Sequence, residues 1–219
     1  MNQGNNIIRH GDTTQATFGL PTNLTERAND VHARNIAAGW WKQLRQLDPT
    51  LPHYKELITI PRNVGELLCL VHSEISEGFE GDVLALPDDK LPHRAMLEVE
   101  MADVVIRVLD MLGYYKIDAD LLFDVVLAND RGIFPPCATL NEVHYCYMHR
   151  SVSRAMEGFR KGNEDKGIRN LVTLLVQIDH FAKLRRFDLV GAIDEKLEFN
   201  ANRPDHKLEA RAAAGGKQF

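Results

Sequence analysis

Residues 96–112 read MLEVEMADVVIRVLDML, and this stretch decides the fold. Drawn as a helix, it is apolar on almost every side. Its charges Glu100, Asp103, Arg107 and Asp110 fall on one strip at 3, 4 and 3 spacing. A helix apolar most of the way round belongs inside a bundle. Its charged strip then faces either water or an internal site. The i, i+3 spacing stacks Glu100 and Asp103 one turn apart on the same face.

A second stretch, LLCLVHSEISE over residues 67–77, has the same character. Glu74 follows Val71 by three residues and Leu70 by four, so it continues the apolar stripe, and Glu77 stands one turn further on. A carboxylate on such a stripe is at least partly buried and needs a partner. One i, i+3 acid pair is ordinarily a solvated face. Two pairs on two core-type helices concentrate negative charge that calls for a cation. Four hard oxygen donors, Glu74, Glu77, Glu100 and Asp103, suit Mg²⁺, with Mn²⁺ as a substitute, and carboxylate-held Mg²⁺ is commonly shared with substrate phosphates. A di-iron bundle site would want Glu-x-x-His. Neither pair continues that way, and His72 lies on a different face from Glu74.

Working outward, turn signals and helical periodicity predict seven helices and no alternating strand pattern, an all-α helical bundle. The first helix is expected from Asn23 or Thr25 to about Leu47, ahead of a loop broken by Pro49, Pro52 and Pro61. Others are expected over 63–80, 92–114, from a cap at Asp118 to Asn129, and near 139–161, 166–184 and 187–201. Residues 1–22 read as a polar arm and 204–219 as a polar, basic tail. Residues 23–203 form the domain.

That domain carries an internal echo. Cys69-x-x-His72-x-x-x-Ser76 recurs as Cys146-x-x-His149-x-x-x-Ser153, Val108-Leu109-Asp110 matches Gln177-Ile178-Asp179, and Asn129 matches Asn200. The chain then reads as a tandem duplication, a pseudo-dimer with a catalytic half over 23–132 and a degenerate half over 139–203. Ser151 and Arg154 stand where Glu74 and Glu77 stand in the first copy. Such a chain should hold one metal-loaded site, and two equivalent sites by titration would contradict it.

The 219 residues suffice for one domain with a sizeable core. A net charge of −5 argues against broad nucleic-acid binding. No apolar run reaches membrane-spanning length and no signal-peptide pattern opens the chain, so a cytoplasmic protein is expected. Three cysteines, Cys69, Cys137 and Cys146, lack any zinc spacing and read as reduced packing residues.

The segments His72-Ser-Glu-Ile-Ser-Glu77, Glu100-Met-Ala-Asp103-Val-Val-Ile-Arg107-Val-Leu-Asp110 and Lys196-Leu-Glu-Phe-Asn200-Ala-Asn-Arg203-Pro together resemble the MazG-like nucleoside triphosphate pyrophosphohydrolases. That family belongs to the all-α NTP pyrophosphatase superfamily, with the dimeric dUTPases. His32 with Ala38-Gly-Trp-Trp41 and the ending Gly215-Gly-Lys-Gln-Phe219 are similar to phage and bacterial members. The likeness covers roughly residues 24–132 and 187–219. One departure stands out: in short members the Lys/Asn/Arg segment soon follows the helix after the acids, whereas here some 65 residues intervene between that helix, ending near Asn129, and Lys196. The duplication accounts for it, with the second copy supplying the basic segment.

The resemblance implies Mg²⁺-dependent hydrolysis of a (deoxy)nucleoside triphosphate to monophosphate and pyrophosphate. Glu77, or else Glu74, would serve as general base. Lys196 and Arg203 would grip phosphate, and Asn200 would bond base or sugar; one of Trp40 and Trp41, with Trp41 the choice made here, could stack on a base. Arg107 and Asp110 would pair and orient the metal acids. His72 and His149 read as packing histidines. Relatives are commonly dimers or tetramers, which allows a homodimer, whereas a pseudo-dimer could act as a monomer; the nucleoside triphosphate substrate is the expected partner. A pyrimidine-specific dUTPase or dCTPase and a non-catalytic nucleotide-binding module are the competing readings.

Overall fold

A computed structural model describes residues 18–46, 55–59, 62–129, 131–135, 140–206 and 210. Residues 1–17 of the expected 1–22 arm, Cys137 and the closing Gly215-Gly216 lie outside them. The described chain is an all-α bundle of seven helices with one small hairpin. The helices are α1 (Leu24–Ala37), α2 (Val64–Leu84), α3 (Met96–Tyr114), α4 (Ala119–Asn129), α5 (Asn141–Arg160), α6 (Glu164–Arg185) and α7 (Leu189–Asn202). A 3₁₀ turn follows at Pro204–His206. No described helix is long and apolar enough to cross a membrane.

One element corrects the sequence reading. The first helix ends at Ala37, not Leu47, because the chain turns at Gly39, whose φ is +83°. Glycine takes that left-handed conformation without steric cost. The chain then forms β1 (Lys42–Gln46), which pairs antiparallel with β2 (Lys55–Thr59) in the register Lys42 to Thr59 and Leu44 to Leu57. A two-stranded ribbon this short carries too little alternation to be read from sequence.

Helices α3 and α6 form the spine, as residues 96–112 implied. Val104, Val105, Val108 and Leu109 of α3 and Leu171, Leu174, Leu175 and Ile178 of α6 are fully buried. Helix α2 pairs with α3, α5 with α6, and α2 crosses α5 at the centre. Residues 18–22 are not loose: the Leu20 amide donates to Asp179 Oδ1 at 2.9 Å, tying the segment to α6.

The internal echo recurs in the bonding. Ser76 Oγ donates to the His72 carbonyl and Ser153 Oγ to the His149 carbonyl, each at 2.9 Å. The two histidines meet where α2 crosses α5, Nδ1 to Nδ1 at 2.7 Å with their rings stacked. Gly81 and Gly158 occupy matching close approaches within the two helix pairs. Lys116 and Arg186 end α3 and α6 in the left-handed region, at φ +55° and +57°. Asp118 then caps α4 through Leu121 N, as Asp188 caps α7 through Gly191 N. The caps shift the expected alignment by one residue. Asp110 corresponds to His180 instead of Asp179, and Arg107 to Gln177.

The halves are interleaved. Helix α7 of the second half packs on α3, and α4 of the first packs on α6. Helix α1 crosses α3 at Gly113, where an added Cβ would meet the Ala28 carbonyl oxygen at 2.3 Å. Alanine is the better helix former by about 1 kcal/mol. Overpacking against backbone costs about 1–3 kcal/mol. Gly113→Ala should therefore destabilise the chain, read as a lower urea midpoint with an unchanged slope.

Candidate metal centre

The acids of α2 and α3 converge as their spacing implied, but they divide three and one. Glu74, Glu77 and Glu100 each bring a carboxylate oxygen within 4.8 Å of the others. Glu74 is buried and accepts from Arg107 Nε at 2.7 Å, with Arg107 Nη2 on the same oxygen. Glu77 is exposed and accepts from Ser73 Oγ at 2.9 Å. Glu100 is only 3% exposed, and its Oε2 is buried with no hydrogen-bond partner. Burial, contact with Glu74 and the charges of Asp103 and Glu74 push Glu100 up to about 9, against the pull of Lys196.

Asp103, the fourth acid, is bound to Lys196 Nζ at 2.7 Å. Burial raises its pKa, and Lys196 opposes that rise. The lysine comes from α7, so residues of both halves build the site. Four carboxyls face two committed cations, Arg107 and Lys196, so the site carries two unbalanced negative charges only when all four are ionised, Glu100 included. An orphaned buried oxygen among three hard donors fits one divalent ion such as Mg²⁺.

Beside Asp103 and Arg107 opens a cavity of about 570 Å³. Trp40, Arg62, Leu67, Leu70, Leu197 and Asn200 are among its lining residues. The Asn200 Oδ1 is buried and lacks a hydrogen-bond partner.

Three expected roles change. Trp41 is 3% exposed, stacks on Tyr114, and donates from Nε1 to both Asp110 oxygens at 3.0 and 3.2 Å. It belongs to the core, and its neighbour Trp40 forms the cavity wall. Arg107 and Asp110 do not pair with each other. Arg107 orients Glu74, whereas Asp110 takes His32 Nδ1 at 2.8 Å and lies 4.0 Å from Arg62. Burial raises Asp110, with His32, Asn35 and Trp41 opposing it. Lys196 and Arg203 are both engaged: Lys196 is 3% exposed on Asp103, and Arg203 binds Asp205 through Nε and Nη2 at 2.9 and 2.6 Å.

Arg62 was not anticipated. Its guanidinium carbon lies 5.9 and 5.8 Å from the ring centroids of Trp40 and Trp41. Strands β1 and β2 stand between it and the tryptophans in the chain, and no residue spacing signals their meeting.

The matching place in the second half carries no acids. Ser151 Oγ donates to Gln177 Oε1 where Arg107 meets Glu74, and Gln177 Nε2 donates to the Ile133 carbonyl. A neutral pair, satisfied internally, leaves nothing for a cation to bind.

The chain matches no protein-family model. Comparison with curated proteins and with solved structures likewise gives no match.

Proposed function

We propose that the chain is a Mg²⁺-dependent nucleoside triphosphate pyrophosphohydrolase of the MazG-like kind. The orphaned Glu100 oxygen inside the three-glutamate cluster, next to a nucleotide-sized cavity, carries this reading. Cavities of this volume lie in the range used for small ligands. Trp40 offers a face for a base, and Asn200 Oδ1 an acceptor for a base N–H or a sugar hydroxyl.

Mg²⁺ held by Glu74, Glu77 and Glu100 would neutralise phosphate oxygens and acidify water. Glu77, the exposed member of the cluster, takes the proton of the attacking water, and Ser73 steadies its carboxylate. The water oxygen bonds the α-phosphorus as the bond to the β-phosphoryl oxygen breaks. Monophosphate and pyrophosphate result. Arg107 fixes Glu74, and Lys196 holds Asp103 in place.

The test is a panel of canonical and deoxy triphosphates, dUTP and dCTP included, with and without Mg²⁺. Pyrophosphate release that needs the metal and falls at least about 100-fold in Glu77→Ala supports the reading. Release of single phosphates, or turnover in the presence of EDTA, would overturn it. Nucleotide binding without turnover would point to a binding module.

A further inference from the structure

Helices α3 and α7 run side by side in the same direction. Arg94, just before α3, donates from Nη2 to Oδ2 of Asp188, the cap of α7, at 3.1 Å, and further along both helices Lys196 meets Asp103 at 2.7 Å. Beyond that contact both lead away from Glu100. Asn200 stands one turn past Lys196 and Asp110 two turns past Asp103, about 6 and about 10 Å on at 1.5 Å per residue. Asp103, Asn200 and Asp110 all line the cavity. The cavity therefore extends from the metal acids at Asp103 to a far end at Asp110. Arg62 lines that far end: its Nη1 lies 4.0 Å from Asp110 Oδ2 and its guanidinium carbon 5.9 Å from the Trp40 ring centroid. Asp110 is itself fixed by His32 and Trp41, so the guanidinium has a defined place.

Resting on the reading of the acids as a triphosphate site, we propose that Arg62 and Asn200 select nucleotides whose base carries a carbonyl oxygen beside a ring N–H, namely uracil, thymine and guanine. With its phosphates at the metal acids, a nucleotide in this cavity points its base toward Asp110, with the exocyclic group outermost. A guanidinium only donates, so the group that meets Arg62 has to accept. Uracil, thymine and guanine present a carbonyl oxygen there. Cytosine and adenine present an amino group, which would set N–H against N–H. Asn200 Oδ1, nearer the metal acids, is buried without a hydrogen-bond partner and calls for a donor. The ring N–H next to the carbonyl supplies it. Cytosine and adenine have an acceptor nitrogen at that position and leave the oxygen unpaired.

The experiment is calorimetric titration of the full chain with dUMP, dGMP, dCMP and dAMP, each with Mg²⁺, which ranks the bases without turnover. dUMP and dGMP should bind at least about tenfold tighter than dCMP and dAMP. Arg62→Met keeps the volume and removes the donors. It should erase most of that ratio by weakening dUMP and dGMP alone, and Arg62→Lys should restore part of it. Equal affinities for the four in the wild type overturn the assignment, as does no binding of any of them. So does a matched loss for all four in Arg62→Met, which would mark a structural role. Pyrophosphate release is scored separately on the triphosphate panel. Turnover of all bases alike with equal monophosphate binding leaves the enzyme reading standing and removes this one, and base-selective binding without turnover does the reverse.

Discussion

Glu100→Gln should make the metal-free protein more heat-stable above pH 7 and remove its metal-dependent turnover in the same step. The raised pKa of Glu100, about 9 and chiefly from burial, sets the sign. The folded chain holds this proton where the unfolded chain releases it. The neutral carboxyl therefore contributes its full stability below the ordinary carboxylate range, and that contribution is lost as pH rises through about 9. Glutamine keeps the shape and is neutral throughout. In EDTA, the wild-type melting temperature should decline from pH 5 to pH 9, and the variant should stay nearly level. Mg²⁺ should raise the wild type at high pH, because it binds the folded state and replaces the proton. Turnover should fall at least about 100-fold, the upper end of what losing a mere orienting partner costs. A wild-type melting curve that does not fall with pH would refute the buried-carboxyl account.

Lys196→Met should cost about 3–5 kcal/mol at neutral pH, because it leaves Asp103 in a largely buried place without its partner. The lysine is 3% and the aspartate side chain 15% exposed, so solvent cannot take over the role. Methionine keeps most of the volume, which separates charge from packing. Burial already raises Asp103, so the penalty should shrink as acid protonates it. Adding Asp103→Asn to the methionine variant should recover most of the loss, since a neutral amide costs far less to bury than an unpaired carboxylate. Urea unfolding of the two single variants and the double variant measures this cycle. A loss below about 1 kcal/mol for Lys196→Met would show that Asp103 is open to water.

Both predictions concern residues whose type and spacing were legible, though their partners were not. The acids could be read because they interrupt apolar helices at i, i+3, a pattern that fixes which face each occupies. The repeat could be read from Cys69-x-x-His72 and Cys146-x-x-His149, since equivalent helices keep equivalent spacing. The one-residue slip at Asp110 followed from matching side-chain types without knowing where each helix caps. The hairpin was missed because strands of five residues hold too few alternations to rise above a helical pattern.

Residues 96–112 alone required a helix apolar on nearly all sides, and hence a buried bundle helix whose one charged strip faces either water or an internal site. That conclusion is local, because it depends only on the 3.6-residue period and the cost of burying charge. The tertiary structure decided which acids share a cation and which is held by Lys196, and that Trp40 instead of Trp41 faces the cavity. Each of these turns on the distance between side chains far apart in the chain. Helix packing and loop closure set those distances, and no residue spacing within a single helix contains them.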